Sequence, residues 1–186
     1  MGLTVDIDER CWRSTSLPTS LEPVAILAIR TIGDQVLASR STEIETFDAA
    51  LQRLIDDMFE TMYDAPGVGL AGPQVGVGKR LFVYDAGDGP EVFINPELVV
   101  ADGEWVYEEG CLSVPDYWWE IHRPGHVVMR GLDRDGKPQE VEGEGLLGRV
   151  LQHEYDHLEG KLLITRLTDE ERKAFHRTMR EKLIDS

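Results

Sequence analysis

Apolar residues recur at Phe47, Leu51, Leu54, Met58 and Met62, with Asp56, Asp57 and Glu60 between them, and this spacing predicts a helix from about Asp48 to Tyr63. Ala65-Pro66-Gly67 ends it, because proline and glycine stop a helix. The next stretch, Gly67 to Gly78, carries five glycines and one proline in twelve residues and predicts no helix. Leu81 to Tyr84 and Val92 to Ile94 are short apolar runs separated by the turn-forming AGDGP and read as two strands. Val99 to Val106, interrupted by ADGE, reads as a second hairpin. His126 to Leu132 is a further strand, closed by the turn Asp133 to Gly136.

The period changes again at the back of the chain. Leu146, Val150, His153 and His157 fall along one side of a helix, while Leu147, Leu151 and Leu158 lie on the adjoining arc, so this helix is buried over much of its circumference. Thr168, with Glu171 three residues on, is a capping box that starts a C-terminal helix. Phe175, Met179 and Leu183 form the line by which that helix docks. Strands in front and helices behind predict an α+β fold: a single domain, residues 26–186, with a mainly antiparallel sheet around a central helix, the one that carries His153 and His157. Residues 1–25, polar and holding Pro18 and Pro23, read as an N-terminal extension laid over that domain.

Composition narrows the function classes. At 186 residues and 41% hydrophobic content the chain builds one well-buried core. Nineteen basic against thirty-five acidic side chains give a formal net charge of -16, which disfavours direct DNA binding and attraction to anionic membranes. The basic stretch RKAFHRTMREK, residues 172–182, is a solvated helix face on this reading. The first thirty residues show neither a leader pattern nor a run long enough to span a bilayer, and the expected location is the cytoplasm. Two cysteines, Cys11 and Cys111, do not make a disulfide framework; Cys11 reads as an incidental thiol.

The chemistry is concentrated in HEYDH, His153 to His157. Residues four apart on a helix project side by side, so both imidazoles can reach one ion, and Glu154 sits beside that ion as a proton acceptor without being needed as a ligand. Two unpaired imidazoles in so buried a helix would otherwise be costly. A third protein ligand is needed, with a fourth position left open for water. On spacing alone it is either a downstream carboxylate, Glu170, Glu171 or Glu181, or Cys111 in the string EEGCLSVP.

Three motifs stand in order along the chain: GVGLAGPQ from Gly67 to Gln74, EGCLS from Glu109 to Ser113, and QHEYDHLEG from Gln152 to Gly160. With them the sequence resembles the peptide deformylases, over about Ile29 to Leu167. The resemblance implies hydrolysis by a metal-activated water that removes the N-formyl group from the initiator methionine of nascent polypeptides and releases formate. It implies one divalent ion on Cys111, His153 and His157, Fe(II) natively, with Zn(II) or Ni(II) able to substitute. Glu154 is then the proton carrier, and the Gln74 side chain and the Leu112 N–H stabilise the oxyanion. Implied partners are N-formylmethionyl nascent peptides and a transient contact with the ribosome, for which the C-terminal segment supplies no strongly basic anchor.

The substrate is expected to lie extended beside the glycine loop, through main-chain contacts at Val68 and Gly69, with its methionine near Val68, Leu146 and Val150. Trp118 stands where several family members have a substrate-contacting arginine, and with Tyr117 and Trp119 it is expected to form an apolar mouth. Arg149 takes a position that is sometimes aliphatic in the family. Arg123 is expected to pair with Asp156, Asp156 to orient the imidazoles, and Glu109 either to orient the cysteine loop or to bridge Arg80. Competing readings are a different Cys/His/His amidase or peptidase, an inactive formyl-peptide-binding homologue, and a structural metal domain; the last would close all four ligand positions with protein.

Overall fold

The computed structural model describes residues 24–184. The expected extension lies outside the described residues except at its end, where Ala25 N–H donates to Asp57 Oδ1 at 2.7 Å; Cys11 also lies outside them. Among the described residues no helix is long and apolar enough to cross a membrane.

Helix α1, Ala49–Asp64, begins where expected because the Asp48 side chain accepts from Leu51 N–H at 3.0 Å, satisfying a backbone donor that the first turn leaves open. Strands β1 (Gly69–Ala71), β2 (Leu81–Tyr84), β3 (Glu91–Asp102), β6 (His126–Leu132) and β7 (Pro138–Glu144) form one antiparallel sheet in the order β1-β2-β3-β6-β7. Strands β4 (Trp105–Cys111) and β5 (Val114–Arg123) form a separate two-stranded sheet. Helix α2, Gly145–Leu158, lies at the centre, and α3, Asp169–Ile184, closes the chain.

The period-two alternation of β2 explains the layering. Leu81 and Val83 point to one face, where they pack with Ile55, Met58 and Met62 of α1. Phe82 and Tyr84 point to the other, where they meet Val150, Leu151 and Leu158 of α2. The large sheet is therefore covered on both faces, which makes every residue of β2 buried. Each large side chain so removed from water contributes about 1.5–3 kcal/mol. Helix α2 comes close to β7 because neither has a side chain at the crossing: a Cβ on Gly148 would meet the Gly143 carbonyl oxygen at 2.6 Å.

The α+β fold and its central helix follow the expectation, and two local readings, on residues 99–106 and on the glycine-rich stretch, need correction. Residues 99–106 do not form a hairpin, because β3 pairs with β2 and β6 while β4 turns away to pair with β5. The glycine-rich stretch holds a single 3₁₀ turn, Gly72–Val75, with Pro73 at its start and Gly76 in the left-handed region at its end. Helix α3 docks through Phe175, which sits edge-on to Tyr117 and Trp119 at 4.9 and 5.5 Å, and Met179 accepts a 3.9 Å contact from the Tyr117 hydroxyl. The Leu183 side chain lies outside the described residues.

Candidate active site

Helix α2 carries His153 and His157 on one face, their ring centroids 5.1 Å apart. The end of β4 brings Cys111 to them, with Sγ 3.3 Å from His157 Nε2. One atom from each of Cys111, His153 and His157 lies within 4.8 Å of the others. Four-coordinate bonds of about 2.0–2.3 Å place neighbouring donors about 3.3–3.8 Å apart, so this triangle suits one divalent ion. The candidate carboxylates do not join it: Glu170, Glu171 and Glu181 are exposed on α3, and Glu171 caps Thr168.

Electrostatics favours the thiolate form of the sulfur. Burial opposes the charged form, yet the facing His157 and His153 imidazoles hold the Cys111 thiol well below its ordinary value. A thiolate with two imidazoles is a borderline-soft donor set suited to Fe(II), Zn(II) or Ni(II).

Glu154 is 3% exposed. Burial pushes its carboxyl up, against the lowering pull of His153 and His157, and its Oε2 has no partner among the described residues. Gly69 makes room for this carboxylate, since a Cβ there would stand 2.8 Å from Glu154 Cδ. Gln74 is held by its own turn: its Oε1 accepts from Ala71 N–H at 2.8 Å, which turns Nε2 toward Ser113 Oγ at 3.3 Å and Cys111 Sγ at 3.9 Å.

These groups face one cavity of about 520 Å³. Cys111, His153, Glu154, Gln74 and Leu112 line it, as do Val68, Gly69, Leu146, Val150 and Trp118; His157 lies buried behind them. The cavity runs along β1, an edge strand of the large sheet. Asp85 N–H takes the Val68 carbonyl at 3.0 Å, and strand alternation then turns the main-chain groups of Gly69 to the open edge. Trp118 is 66% exposed at the mouth, its ring laid over Gly110, where a Cβ would come within 2.8 Å of it. Tyr117 also lines the mouth, whereas Trp119 faces Phe175, away from the cavity.

The supporting carboxylates differ from expectation. Arg123 pairs with Asp156 at 2.8 Å as anticipated, but Asp156 spends its other contacts on Arg166, at 2.7 Å, and touches neither imidazole. Glu109 is the residue that contacts a ring, accepting from His153 Nδ1 at 3.0 Å, and it also takes Arg123 and Arg149. Arg80 is not its partner; that guanidinium bonds Glu159 at 2.6 Å and the Pro96 carbonyl. The signal for Glu109 was its position two residues before Cys111 on one strand, which puts both on the same face.

Comparison with known proteins agrees with this geometry. A sequence model described as polypeptide deformylase matches residues 26–173. A peptide deformylase of Clostridium botulinum (strain Alaska E43 / Type E3) is 54% identical over 145 residues, covering 78% of this chain and 99% of that protein. A second, from Rhizobium meliloti (strain 1021), is 53% identical over 151 residues, 78% of this chain and 84% of that one. Among solved structures, a peptide deformylase from Legionella pneumophila superposes with a TM-score of 0.80 at 46% identity, covering 87% of this chain and 98% of that chain. One from Ehrlichia chaffeensis in complex with actinonin gives 0.80 at 37% identity, over 85% and 98%. The chain belongs to the polypeptide deformylase family.

Proposed function

We propose that Cys111, His153 and His157 hold a single divalent ion, natively Fe(II) and replaceable by Zn(II) or Ni(II). Beside it Glu154 carries the proton while the N-formyl group of an initiator methionine is hydrolysed to formate. The observation that carries this reading is the meeting, at the wall of one cavity, of a thiolate, the His153 imidazole with His157 buried behind it, and a buried carboxylate whose second oxygen has no partner among the described residues. An ion bound to those three ligands supplies a Lewis-acidic centre that makes water nucleophilic at neutral pH.

Each chain residue then has a defined task. Glu154 accepts the proton of the attacking water at its carboxylate, and its raised affinity for a proton suits it to hold that proton briefly. As the water oxygen bonds to the formyl carbon, the Gln74 Nε2 and the Leu112 N–H meet the negative charge growing on the formyl oxygen. Glu154 then gives its proton to the departing amine as the carbon–nitrogen bond breaks, leaving formate and a free methionine amino group. Cys111 serves as a ligand, so no covalent acyl-enzyme forms.

The peptide adds as a strand along the open edge of β1, reading the main-chain groups of Gly69 and the N–H of Val68, whose carbonyl is already taken by Asp85, and so tolerating varied residues after methionine. Val68, Leu146 and Val150 take the methionine side chain, and Trp118 caps the exit. The proposed setting is the cytoplasm, with the nascent chain presented by a transient ribosome contact.

The test is formate release from formyl-Met-Ala-Ser by protein purified anaerobically with Fe(II), beside Glu154→Gln protein of matched metal content. Release by the parent and a loss of about 10²–10⁴-fold in the variant support the reading. No release from fully metallated parent removes it and favours the formyl-peptide-binding or other-amidase readings.

A further inference from the structure

Arg149 has no task in the chemistry above, yet its side chain is among the most buried charges near the site, at 4% exposure. Its guanidinium lies 4.6 Å from the ring centroid of Trp105 and 5.8 Å from that of Tyr107. Nη1 donates to the Ile121 carbonyl at 3.1 Å, and Nη2 to the Trp105 carbonyl at 2.6 Å. Those acceptors belong to β5 and β4, so the backbone of the hairpin fixes the guanidinium whether or not any side chain moves. From that anchor Nη1 also donates to Glu109 Oε1.

Glu109 is held on the same oxygen by Arg123 Nε at 2.7 Å, and on Oε2 by Arg123 Nη2 at 2.9 Å and His153 Nδ1 at 3.0 Å. Arg123 is a divided partner, because its Nη1 goes to Asp156 at 2.8 Å. A carboxylate acting as acceptor places a His153 proton on Nδ1, so that in the neutral ring it is Nε2 that keeps its lone pair for an ion.

We infer that Arg149 is a positioning residue for His153, acting through Glu109: anchored to both strands of the hairpin, it holds the carboxylate that sets the tautomer and ring orientation of a metal-binding histidine. The inference rests on the reading of His153 as a ligand. An aliphatic side chain would fill the same space but would leave Arg123 as the one guanidinium on Glu109, beside the His153 ring that the carboxylate has to hold. The guanidinium fork supplies three acceptor contacts from one rigid plane, which a lysine ammonium cannot reproduce.

The experiment compares the parent with Arg149→Met, Arg149→Lys, Glu109→Gln and the Met/Gln double variant, each loaded with Co(II). It measures the rate of ion loss to excess chelator, the visible absorption of the bound Co(II), and kcat and KM for formyl-Met-Ala-Ser. The expected result is ion loss about 10–100-fold faster in Arg149→Met, with altered Co(II) bands. The kcat should fall at least about tenfold while KM stays within about twofold. In the Glu109→Gln background the same change should add no more than about threefold, because the connecting carboxylate is gone.

Ion loss within about twofold of the parent, an undiminished effect in the Glu109→Gln background, or a change confined to KM would overturn the inference. If Arg149→Met does not fold, Arg149→Lys decides the matter: the charge is kept but the fork is lost, and unchanged ion loss refutes the positioning role. Ion loss and spectra are read without turnover, so a parent that releases no formate would count against the proposed function and leave this test standing.

Discussion

Replacing Gly69 by alanine perturbs the site through one methyl group. The φ of Gly69 is not in the left-handed region, so its strand backbone accepts alanine, and the added Cβ leaves the main-chain groups toward the substrate in place. Built on this backbone, that Cβ stands 2.8 Å from Glu154 Cδ and 2.9 Å from Cγ. Carbon atoms rest at about 3.5–4.0 Å, so the carboxylate has to retreat by about 1 Å. Misplacement of that size costs about 10²-fold in rate, or about 2.7 kcal/mol of transition-state stabilisation. The assay is formate release with metal content and circular dichroism matched to the parent. Gly78→Ala serves as the control, since its Cβ would meet nothing nearer than Val36 Cγ2 at 3.9 Å. A kcat for Gly69→Ala within threefold of the parent would refute the argument that this glycine exists to seat Glu154. A loss carried wholly by KM would move its role to peptide pairing.

The remaining predictions concern the mouth, the buried carboxylates and the last helix. Asp116 and Glu108 line the mouth beside Trp118, and Glu120 stands opposite Glu108 in the hairpin. An exposed indole in that acidic setting favours a cation by about 0.5–1 kcal/mol. Trp118→Arg is therefore expected to lower kcat/KM for formyl-Met-Lys-Lys about two- to fivefold while leaving formyl-Met-Ala-Ser within twofold, and equal effects on both would discount the cation preference. Glu109 and Asp156 are held below the usual carboxylate range despite their burial, Glu109 by His153 and Arg123, Asp156 by Arg166 and Arg123. Their folded values lie below their unfolded ones, so their stabilisation is complete above about pH 4–5 and drains away as the pH falls through the folded values. The urea midpoint of chelator-stripped protein should drop below pH 4, less steeply in Asp156→Asn than in the parent; parallel curves over that range would count against the pairing. Phe175→Ala empties a buried site against Tyr117 and Trp119 and is expected to cost about 3 kcal/mol in urea denaturation. A change under 0.5 kcal/mol would mean that α3 docks by other contacts.

What the sequence made legible, and what it did not, follows from the range over which each signal acts. Helices α1 and α2 and the pair His153 and His157 rest on spacings of three and four residues within one element, so pattern alone places them. Strands β5 and β7 escape that reading. Strand β7, Pro138–Glu144, sits at a sheet edge with a single fully buried residue, Gly143, so no apolar alternation marks it. Strand β5 crowds Tyr117, Trp118 and Trp119 together because they serve two places at once: Trp119 packs on Phe175 of α3, Trp118 lines the mouth, and Tyr117 reaches both.

The carboxylates show the same difference more sharply. Asp156 precedes His157 and follows His153 by three, and adjacency in sequence suggested that it orients a ring. On a helix each residue turns by about 100°, so Asp156 faces away from His157; three residues after His153 it lies on a nearby side, but its carboxylate goes to Arg123 and Arg166 and the His153 Nδ1 goes to Glu109. On a strand the partner of a ligand is two residues away. Glu109 and Cys111 share a face of β4 for that reason, and one strand delivers both the sulfur and the carboxylate that holds His153. Glu-Gly-Cys thus carries its meaning only once residues 105–111 are known to be extended. Arg149 carries no local signal at all, because its acceptors come from β4 and β5, 28 to 44 residues away along the chain.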